Sequence, residues 1–342
     1  MRVLVTGNLG YLGPPIVQAL LAAGHEVQGL DSGLFEATAL EPGPAIYTCR
    51  RDIRDVEPDD LQGVEAVVHL AGLSNDPLGM LDPALTAEIN LVATVRLAHL
   101  ARRVGVRRFL FASSCSVYGA TEQPWVDEHT PPRPVTVYGE YKVAAEQRLA
   151  ALATPTFCVT SVRNATAFGY SPNLRTDLVV NDLVAGALLH GEIRLNSDGS
   201  AWRPLVHVQD IAQAVVLTLA VPVDTANRAV FNVGSEAQNY TVISIARAVA
   251  AHVPGSRVTI APGASADRRS YRVRFERIRH ILPAFHCEYD LHAGIDELLA
   301  NYQRVGLRSR DGGVRLAHLQ RLRTGGQIDH RLRFCTPAEA SV

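Results

Sequence analysis

Near its start the chain reads Arg2-Val3-Leu4-Val5-Thr6-Gly7-Asn8-Leu9-Gly10-Tyr11-Leu12-Gly13. The apolar run before Thr6 predicts a strand, and the residues from Gly10 onward predict a helix. Glycines at this spacing allow a tight turn, a close approach of the backbone to a pyrophosphate and close packing of the helix on the strand. The N-terminus of such a helix faces the phosphates. The stretch therefore predicts the first strand–turn–helix unit of a dinucleotide-binding domain.

An acidic residue follows at the place where such a domain needs one. Asp31 closes the second predicted strand, about twenty residues after the glycines, where a carboxylate can accept hydrogen bonds from an adenosine ribose. The segment from Ser32 to Thr48 contains no Arg or Lys that could bind a 2′-phosphate. We therefore expect NAD rather than NADP, with Asp52 and Ile53 near the adenine edge.

Strands and helices alternate through the first half of the chain. Continuous apolar runs with intervening helices predict a parallel sheet covered on both faces, which is a doubly wound α/β (Rossmann) fold. The predicted strands are Val3–Thr6, Glu26–Asp31, Ala45–Thr48, Ala66–Leu70, Arg108–Ala112 and Phe157–Arg163. The predicted helices are Gly10–Ala23, Ala84–Val104 and Val135–Leu152.

The alternation loosens after Arg163. We expect helices near residues 178–189, 210–220, 242–253, 291–305 and 312–322, and strands near 193–196, 230–233 and 258–261. This pattern predicts a smaller α/β substrate-binding lobe interleaved with the end of the first sheet. The predicted division is a Rossmann domain at 1–170, a lobe at 171–330 and a tail at 331–342 whose last residues, Thr336–Val342, are frayed.

Composition limits the class of protein. The chain has 342 residues, of which 47% are hydrophobic and 20% charged, with a net charge of −1. These values predict a soluble globular protein without affinity for nucleic acid or an anionic membrane. The basic residues between Arg304 and Arg333 alternate with apolar ones, which indicates solvated helix faces.

The five cysteines are scattered, which favours reduced thiols and a cytoplasmic setting. The immediate strand at the start leaves no room for a signal peptide, and no apolar run is long enough for a membrane span. The twelve histidines show no metal-binding spacing, so no metal is expected.

Two residues in the third predicted helix suggest acid–base chemistry. Tyr138 and Lys142 are four positions apart, so they share one helix face. An ammonium beside a phenol favours the phenolate and lowers its pKa, which would make Tyr138 a proton acceptor for a sugar or alcohol hydroxyl. Most pairs at this spacing are ordinary helix surface, so the assignment depends on the rest of the chain. The run Ser113–Gly119 supports it, because it follows the fifth strand at the edge where open α/β sheets bind ligands.

These motifs together resemble the extended short-chain dehydrogenase/reductase superfamily, in its nucleotide-sugar epimerase/dehydratase branch, and in particular UDP-glucose and UDP-glucuronate 4-epimerases. The resemblance covers roughly residues 1–300, in order. The further matching segments are His69-Leu70-Ala71-Gly72, Asn90, Pro131 and Pro134 before Tyr138, Arg203 to Asp210, and Phe231 to Gly234.

The resemblance implies roles for individual residues. Tyr138 would be the general base or acid, Lys142 would hold the nicotinamide ribose, and Ser114 would share the proton. The implied cofactor contacts are Gly7, Asn8, Leu9, Gly10, Tyr11, Leu12, Gly13, Asp31, Ser32, Asp52, Ile53, Leu70, Ala71, Gly72, Asn90, Tyr138 and Lys142. The implied substrate contacts are Ser74, Ser114, Cys115, Ser116, Asn164, Thr166, Arg175, Asn181, Arg203 and Arg269. Arg203 and Arg269 would grip the substrate diphosphate, with Arg268 able to replace Arg269.

Two departures from the family pattern narrow the chemistry. The 4,6-dehydratases carry an Asp-Glu pair, and UDP-glucuronate decarboxylases a Glu, where this chain has Cys115-Ser116, so dehydration and decarboxylation are disfavoured. Cys115 is interpreted as a small filler rather than a nucleophile. The Asn that often touches the substrate is Thr166 here, and Asn164 is displaced by two positions. Thr166 with Ser116 resembles UDP-glucuronate 4-epimerases, and Arg175 could restrain a uronate carboxylate if two residues are inserted in the alignment.

The expected reaction is epimerisation of a nucleotide-diphosphate sugar at C4, through a transient ketone with NAD regenerated in each cycle. Three alternatives stay open: another rearrangement or dehydration that begins with the same oxidation, a net dehydrogenase or reductase, and a non-catalytic NAD sensor. The family usually pairs through the helices near 84–104 and 135–152, so a homodimer with a four-helix bundle is expected.

Overall fold

A computed structural model describes residues 1–267 and 269–335 of the chain. The strands of this part are β1 Arg2–Thr6, β2 Glu26–Asp31, β3 Thr48–Arg50, β4 Ala66–His69, β5 Arg108–Ser114, β6 Cys158–Asn164, β7 Thr166–Phe168, β8 Glu192–Leu195, β9 Trp202–His207, β10 Ala229–Val233, β11 Asn239–Thr241 and β12 Arg257–Ile260. The helices are α1 Gly13–Ala22, α2 Asp76–Gly79, α3 Pro83–Ala87, α4 Thr94–Arg103, α5 Val137–Leu152, α6 Val179–His190, α7 Val208–Ala220, α8 Val223–Ala226, α9 Val242–His252, α10 Glu276–Ile281, α11 Leu291–Arg304 and α12 Arg315–Thr324.

Across the described residues, seven parallel strands form the main sheet, in the order β3-β2-β1-β4-β5-β6-β10. The order reverses between β1 and β4, and such a switch point opens a crevice at the carboxyl ends of the strands. The predicted doubly wound fold is therefore confirmed, and its crevice lies where Gly7 follows β1 and Leu70 follows β4.

Helices cover both faces of this sheet. Successive residues of each strand point to opposite faces, so each strand contributes side chains to two cores. Val3 and Val5 of β1 join one core with Ile16 of α1 and Val215 of α7. Leu4 joins a second core, which includes Leu97 of α4, Leu149 of α5 and Leu319 of α12. The two cores fix the helices on either side of the sheet and so hold the crevice open between them.

The second half of the chain contributes β10 to the main sheet and builds two smaller sheets. One has the strand order β11-β9-β7, and the other pairs β12 with β8. A third core lies there, around Phe168, Ile245, Leu298 and Tyr302. The sequence did not reveal β7, β9 or β11, because these short strands occur beside loops and polar residues.

Several predicted boundaries move for local reasons. The first helix begins at Gly13 rather than Gly10, because the preceding residues form the turn after β1. The third strand is displaced from Ala45–Thr48 to Thr48–Arg50. The predicted helix Ala84–Val104 is α3 and α4 joined by a π-helical segment, Glu88–Ala93. The frayed end predicted at Thr336–Val342 and the alternative ligand Arg268 lie outside the described residues. In the part of the chain that is described, no helix is both long and apolar enough to cross a membrane.

Candidate active site

A cleft with a cavity volume of about 300 Å³ follows the crevice at the carboxyl edge of the main sheet. The predicted site residues on its wall are Gly7, Gly10, Tyr11, Leu12, Asp31, Ser32, Asp52, Ile53, Leu70, Ala71, Gly72, Ser74, Ser114, Cys115, Ser116, Tyr138, Lys142, Asn164, Thr166 and Arg175. Asp31 lies at the end of β2, and Tyr138 lies beside Ser114 at the end of β5. The fold thus brings most of the residues chosen from sequence to one elongated site.

The glycine loop is fixed by close contacts of its backbone. Gly7 has a φ of +76°, and a Cβ there would lie 2.7 Å from the backbone nitrogen of Ala71. A Cβ on Gly13 would lie 2.1 Å from the carbonyl oxygen of Asn8. Neither position has room for a side chain. Gly10 is less crowded, since its Cβ would lie 3.1 Å from the Gly7 oxygen. The loop therefore presents bare backbone, and the start of α1, to the cleft.

Asp31 ends β2 beside this loop. Its carboxylate accepts hydrogen bonds from the backbone N–H groups of Leu9, at 3.1 Å, and of Gly33, at 2.8 Å. Burial raises the pKa of Asp31, and these two hydrogen bonds oppose that increase. The glycine loop and Asp31 are thus held together as one unit, which suits a phosphate beside a ribose.

Arginines from β3 and the turn after it surround this end of the cleft, and each has a carboxylate partner. Arg50 pairs with Glu36, Arg51 with Asp60 at 3.2 Å, and Arg54 with Asp52 at 2.7 Å. Because the Asp52 carboxylate forms an ion pair with Arg54, it is not freely available to accept a hydrogen bond from the adenine edge.

Tyr138, Lys142 and Glu146 follow one another along a single face of α5. Thr136 caps this helix by accepting a hydrogen bond from the backbone N–H of Gly139, so the helix begins just before Tyr138. The Lys142 Nζ lies 5.7 Å from the centre of the Tyr138 ring and donates to the Ala112 carbonyl at 2.6 Å. Burial lowers the pKa of Lys142 to about 8, and the nearby Glu146 carboxylate opposes this. Lys142 is thus a buried ammonium aimed at the end of β5.

The predicted lowering of the Tyr138 pKa is wrong for the residues of the chain by themselves. Tyr138 is buried, and burial raises its pKa to about 12. The Ser114 hydroxyl and the Arg175 guanidinium oppose the increase, whereas Asp76 adds to it. The Lys142 ammonium, 5.7 Å from the ring centre, does not reverse this increase. The phenol therefore remains protonated at neutral pH until a charge change in the cleft assists its deprotonation.

The hydroxyls of Ser114 and Ser116 form a hydrogen-bonded pair at the end of β5. The Ser114 Oγ accepts from the Ser116 backbone N–H at 3.1 Å and donates to the Ser116 Oγ at 3.0 Å. Between them, Cys115 is 1% exposed, and its thiol donates to the Arg163 carbonyl at 3.3 Å. Burial raises the pKa of this thiol well above its usual value. This agrees with the interpretation of Cys115 as a filler rather than a nucleophile.

Some of the predicted substrate residues line the cleft, and the others, Asn181, Arg203 and Arg269, do not. Thr166, Asn164 and Arg175 line the cleft, and the Asn164 Oδ1 is buried without a hydrogen-bond partner among the described residues. The Arg175 side chain donates to Asp177 at 2.8 Å and to Ser74 at 3.2 Å. Asn164 therefore has the clearest unused capacity to bind a ligand.

Arg203 and Arg269 do not line the cleft. Both bind Asp267, at 2.6 and 2.7 Å, and Arg269 also binds Asp76 at 2.5 Å. Their guanidinium groups are thus engaged in a chain of ion pairs beside the cleft, not directed freely into it.

Other predicted contacts serve the framework. The Asn8 side chain donates to Thr48, and Asn90 exchanges two hydrogen bonds with the Leu73 backbone. Asn181 donates to the Tyr11 hydroxyl and to the carbonyls of Gly169 and Arg175. These three side chains, with Leu9 and Gly13, lie outside the cleft wall.

Several residues of the cleft wall were not chosen from the sequence, among them Asp76, Tyr271 and Arg315, and neither was Glu146, which lies close to Lys142. Glu146 had a usable signal, because it continues the four-residue spacing of Tyr138 and Lys142. Asp76, Tyr271 and Arg315 had none, because only the folded chain brings them to the crevice.

Comparison with known proteins agrees with this geometry. The model of the NAD dependent epimerase/dehydratase family matches residues 3–234. The UDP-glucose 4-epimerase of Mycolicibacterium smegmatis is 34% identical over 254 residues, which cover 70% of this chain and 79% of that protein. The structure of MoeE5 in complex with UDP-glucuronic acid and NAD is 27% identical with a TM-score of 0.77, covering 89% of this chain and 99% of that one. The NDP-hexosamine 5,6-dehydratase TunA is 25% identical with a TM-score of 0.80, covering 91% and 99%.

Proposed function

Because the chain belongs to the NAD-dependent epimerase/dehydratase family, we propose that it interconverts the C4 epimers of a UDP-linked hexose. The observation that carries the proposal is the arrangement at one end of the cleft. There the buried phenol of Tyr138 lies beside the Ser114 hydroxyl and the Lys142 ammonium, at the end of β5. The enzyme is an isomerase, since a sugar is oxidised and reduced again within one cycle.

The residues present fit NAD. The bare backbone of the glycine loop and the start of α1 would hold its diphosphate, and Asp31 would accept from its adenosine ribose. Lys142 would donate to its second ribose. NAD, when bound, accepts the hydride from the sugar C4 and supplies it again for the return step.

Proton transfer at the sugar falls to Tyr138. Its phenol takes the proton of the C4 hydroxyl as the carbonyl forms and returns it when the alcohol is restored. A pKa of about 12 makes this phenol a poor base alone. Among the described residues that border this part of the cleft, Lys142 and Arg175 are cations, and Arg175 already opposes the increase within that value. A further positive charge in the occupied cleft would favour the phenolate.

The cleft is poorly equipped for elimination of water. The residues that follow Ser114 are a buried thiol and a hydroxyl, and neither is an effective acid or base for carbon–oxygen cleavage. The carboxylate of Asp76 also lines the cleft, but one of its oxygens accepts from Arg269 at 2.5 Å. Epimerisation therefore fits better than dehydration.

The sugar is bound between the main sheet and the second half of the chain, residues 171–330, which we assign as the substrate lobe. UDP-glucose and UDP-galactose are the first candidates, because the relative with 34% identity is a UDP-glucose 4-epimerase. UDP-glucuronate is the second. The hydroxyls of Ser116 and Thr166 and the guanidinium of Arg175 line the cleft together, which suits a uronate carboxylate.

Two further proposals concern assembly and setting. We expect a homodimer through α3–α4 and α5, the helices through which the family usually pairs, and Val92 between α3 and α4 is 55% exposed on that surface. Replacement of Val92 by Glu would then shift the mass measured by light scattering toward that of a monomer.

A cytoplasmic setting is proposed because all five cysteines are free thiols.

The function is tested by incubating the protein, with and without added NAD, with UDP-glucose, UDP-galactose, UDP-glucuronate and UDP-galacturonate in turn. NMR of the anomeric protons identifies any epimer, and absorbance follows any free NADH. We expect one epimeric pair to interconvert without net NADH. A 4-keto-6-deoxy or unsaturated sugar product would instead identify a dehydratase, and stoichiometric NADH would identify a dehydrogenase.

A further inference from the structure

Arg315, the first residue of α12, is a buried cation on the wall of the cleft. It is 2% exposed and lines the same cavity as Asp31 and Phe35. It lies well beyond residues 3–234, which match the family model. The sequence interpretation of Arg304–Arg333 as solvated helix faces is wrong for this residue, although Arg321 and Arg323 of the same helix are exposed.

The hydrogen-bond partners of its guanidinium are neutral groups. Arg315 donates to the Thr38 hydroxyl, to the Asn173 carbonyl oxygen at 3.2 Å and to the Asn173 Oδ1 at 2.6 Å. Its guanidinium carbon lies 4.5 Å from the centre of the Phe35 ring. Within residues 1–267 and 269–335 no carboxylate comes within ion-pair distance of it. The paired Arg54 and Arg163, which are also largely buried, differ from it in this respect.

A buried cation without a counter-charge is costly, so it calls for an anion. Burial lowers the pKa of Arg315 to about 9, and the positive Arg175 adds to the effect. Asp177 and Asp31 act in the opposite direction with smaller effects. At neutral pH the side chain stays charged and faces a cavity large enough for a ligand.

The position of Asn173 indicates which part of a ligand meets this charge. The Asn173 Nδ2 donates to the carbonyl of Leu9, in the glycine loop, at 2.5 Å and to that of Phe35 at 2.7 Å. Arg315 is therefore separated by one side chain from the loop that faces the phosphates. A guanidinium suits phosphate oxygens through its paired N–H donors.

We propose that Arg315 binds the diphosphate of the dinucleotide cofactor, and that α12 is a functional part of the cofactor site. The inference rests on the proposed use of NAD but not on the identity of the sugar. Three further hydrogen bonds and ion pairs bind the segment after Gly313 to residues around the adenosine half of the cleft. His318 donates to the Leu34 carbonyl at 2.8 Å, Arg331 binds Glu88 at 2.7 Å, and Arg333 binds Asp55 at 3.0 Å. These contacts would keep Arg315 on the wall of the cleft, where it could reach the cofactor.

The test compares Arg315→Met and Arg315→Lys with the wild type, and with Arg323→Met as the matched control on the exposed face of α12. NAD is released from each purified protein and quantified, and the stripped proteins are titrated with NAD, ADP and NADP by calorimetry. We expect Arg315→Met to bind NAD and ADP about ten- to a hundredfold more weakly, with a smaller loss for Arg315→Lys and none for Arg323→Met. The melting temperature of the stripped Met variant should not fall, because a buried charge has been removed.

Each contrary outcome points to a different role. Unchanged affinity for both NAD and ADP would overturn the proposal. A loss confined to NADP would place Arg315 at a 2′-phosphate instead. A fall in melting temperature with no rescue by Lys would make Arg315 a structural residue only. Binding of NAD by a wild-type protein that epimerises no sugar would refute the proposed function and leave this inference standing.

Discussion

The Arg163 guanidinium and the Glu146 carboxylate form a buried ion pair, 2.7 Å apart, on the face of α5 that also carries Tyr138 and Lys142. The Ser113 hydroxyl also donates to this carboxylate. Glu146 is also one turn beyond Lys142, so a single carboxylate compensates Arg163 and favours the Lys142 ammonium. The pair thus connects the end of β6 to the charge that supports Tyr138.

Loss of this carboxylate should destabilise the fold. Glu146→Gln leaves Arg163 buried without its counter-charge, and removal of one partner of a buried pair costs about 3–5 kcal/mol. The free energy of unfolding is measured by urea titration. Glu140→Gln is the control, because Glu140 is exposed on the same helix and should change that free energy by less than about 0.5 kcal/mol. Equal stability of the two variants would contradict the assignment.

The pH profile should show the titration of Lys142. Burial lowers its pKa to about 8, so the ammonium is present below that pH and lost above it. We expect kcat/KM to fall above about pH 8, with a limiting slope of about tenfold per pH unit, because Tyr138 then loses a cationic neighbour. Lys142→Arg keeps its charge at these pH values and should lack this decline even if its activity is lower. A decline of the same shape in the Arg variant would assign it to another group.

The glycine loop should tolerate no side chain at its last glycine. A Cβ on Gly13 would lie 2.1 Å from the Asn8 carbonyl, so Gly13→Ala must displace the loop from β1. We expect the NAD content of the purified protein to be lost. Gly312→Ala is the matched control, because a Cβ there meets no atom within 4 Å. Normal NAD content in Gly13→Ala would show that the loop is not the cofactor cradle.

Cys115 should be dispensable for chemistry. Its thiol is buried against the Arg163 carbonyl and its pKa is raised, so it is not a nucleophile. We expect Cys115→Ala to keep kcat within about twofold and to lose about 1 kcal/mol of stability through the lost packing. A large fall in kcat with unchanged stability would give the thiol a direct role.

The sequence predicted those parts of the site that local spacing encodes. The glycine loop, Asp31 and the Tyr138–Lys142 pair could be found because each depends on residues that are close in the chain or on the order of strands. The doubly wound fold was predictable for the same reason. The strands β7 and β11 were missed because three residues carry too little periodicity to be distinguished from loop. The six-residue strand β9 was missed because Arg203 and Pro204 interrupt its apolar pattern.

Properties that arise from burial and distant contacts could not be predicted. The direction of the Tyr138 pKa shift reverses because burial outweighs a neighbouring ammonium that is engaged elsewhere. Arg315 reaches the cleft through contacts with Thr38 and Asn173, which are 277 and 142 positions away in the chain. Arg203 and Arg269 looked suited to a diphosphate, but they are bound by Asp267.

The most direct test of the account follows the hydrogen at C4. UDP-glucose deuterated at C4 is turned over in ordinary water by the wild type and by Tyr138→Phe, and the products are examined by NMR. We expect the wild type to form UDP-galactose with the deuterium still at C4, because the hydride leaves and returns within one active site. Tyr138→Phe should retain its NAD and lose turnover by at least about a hundredfold. Epimer that has exchanged its label for solvent hydrogen, or normal turnover by Tyr138→Phe, would contradict the account.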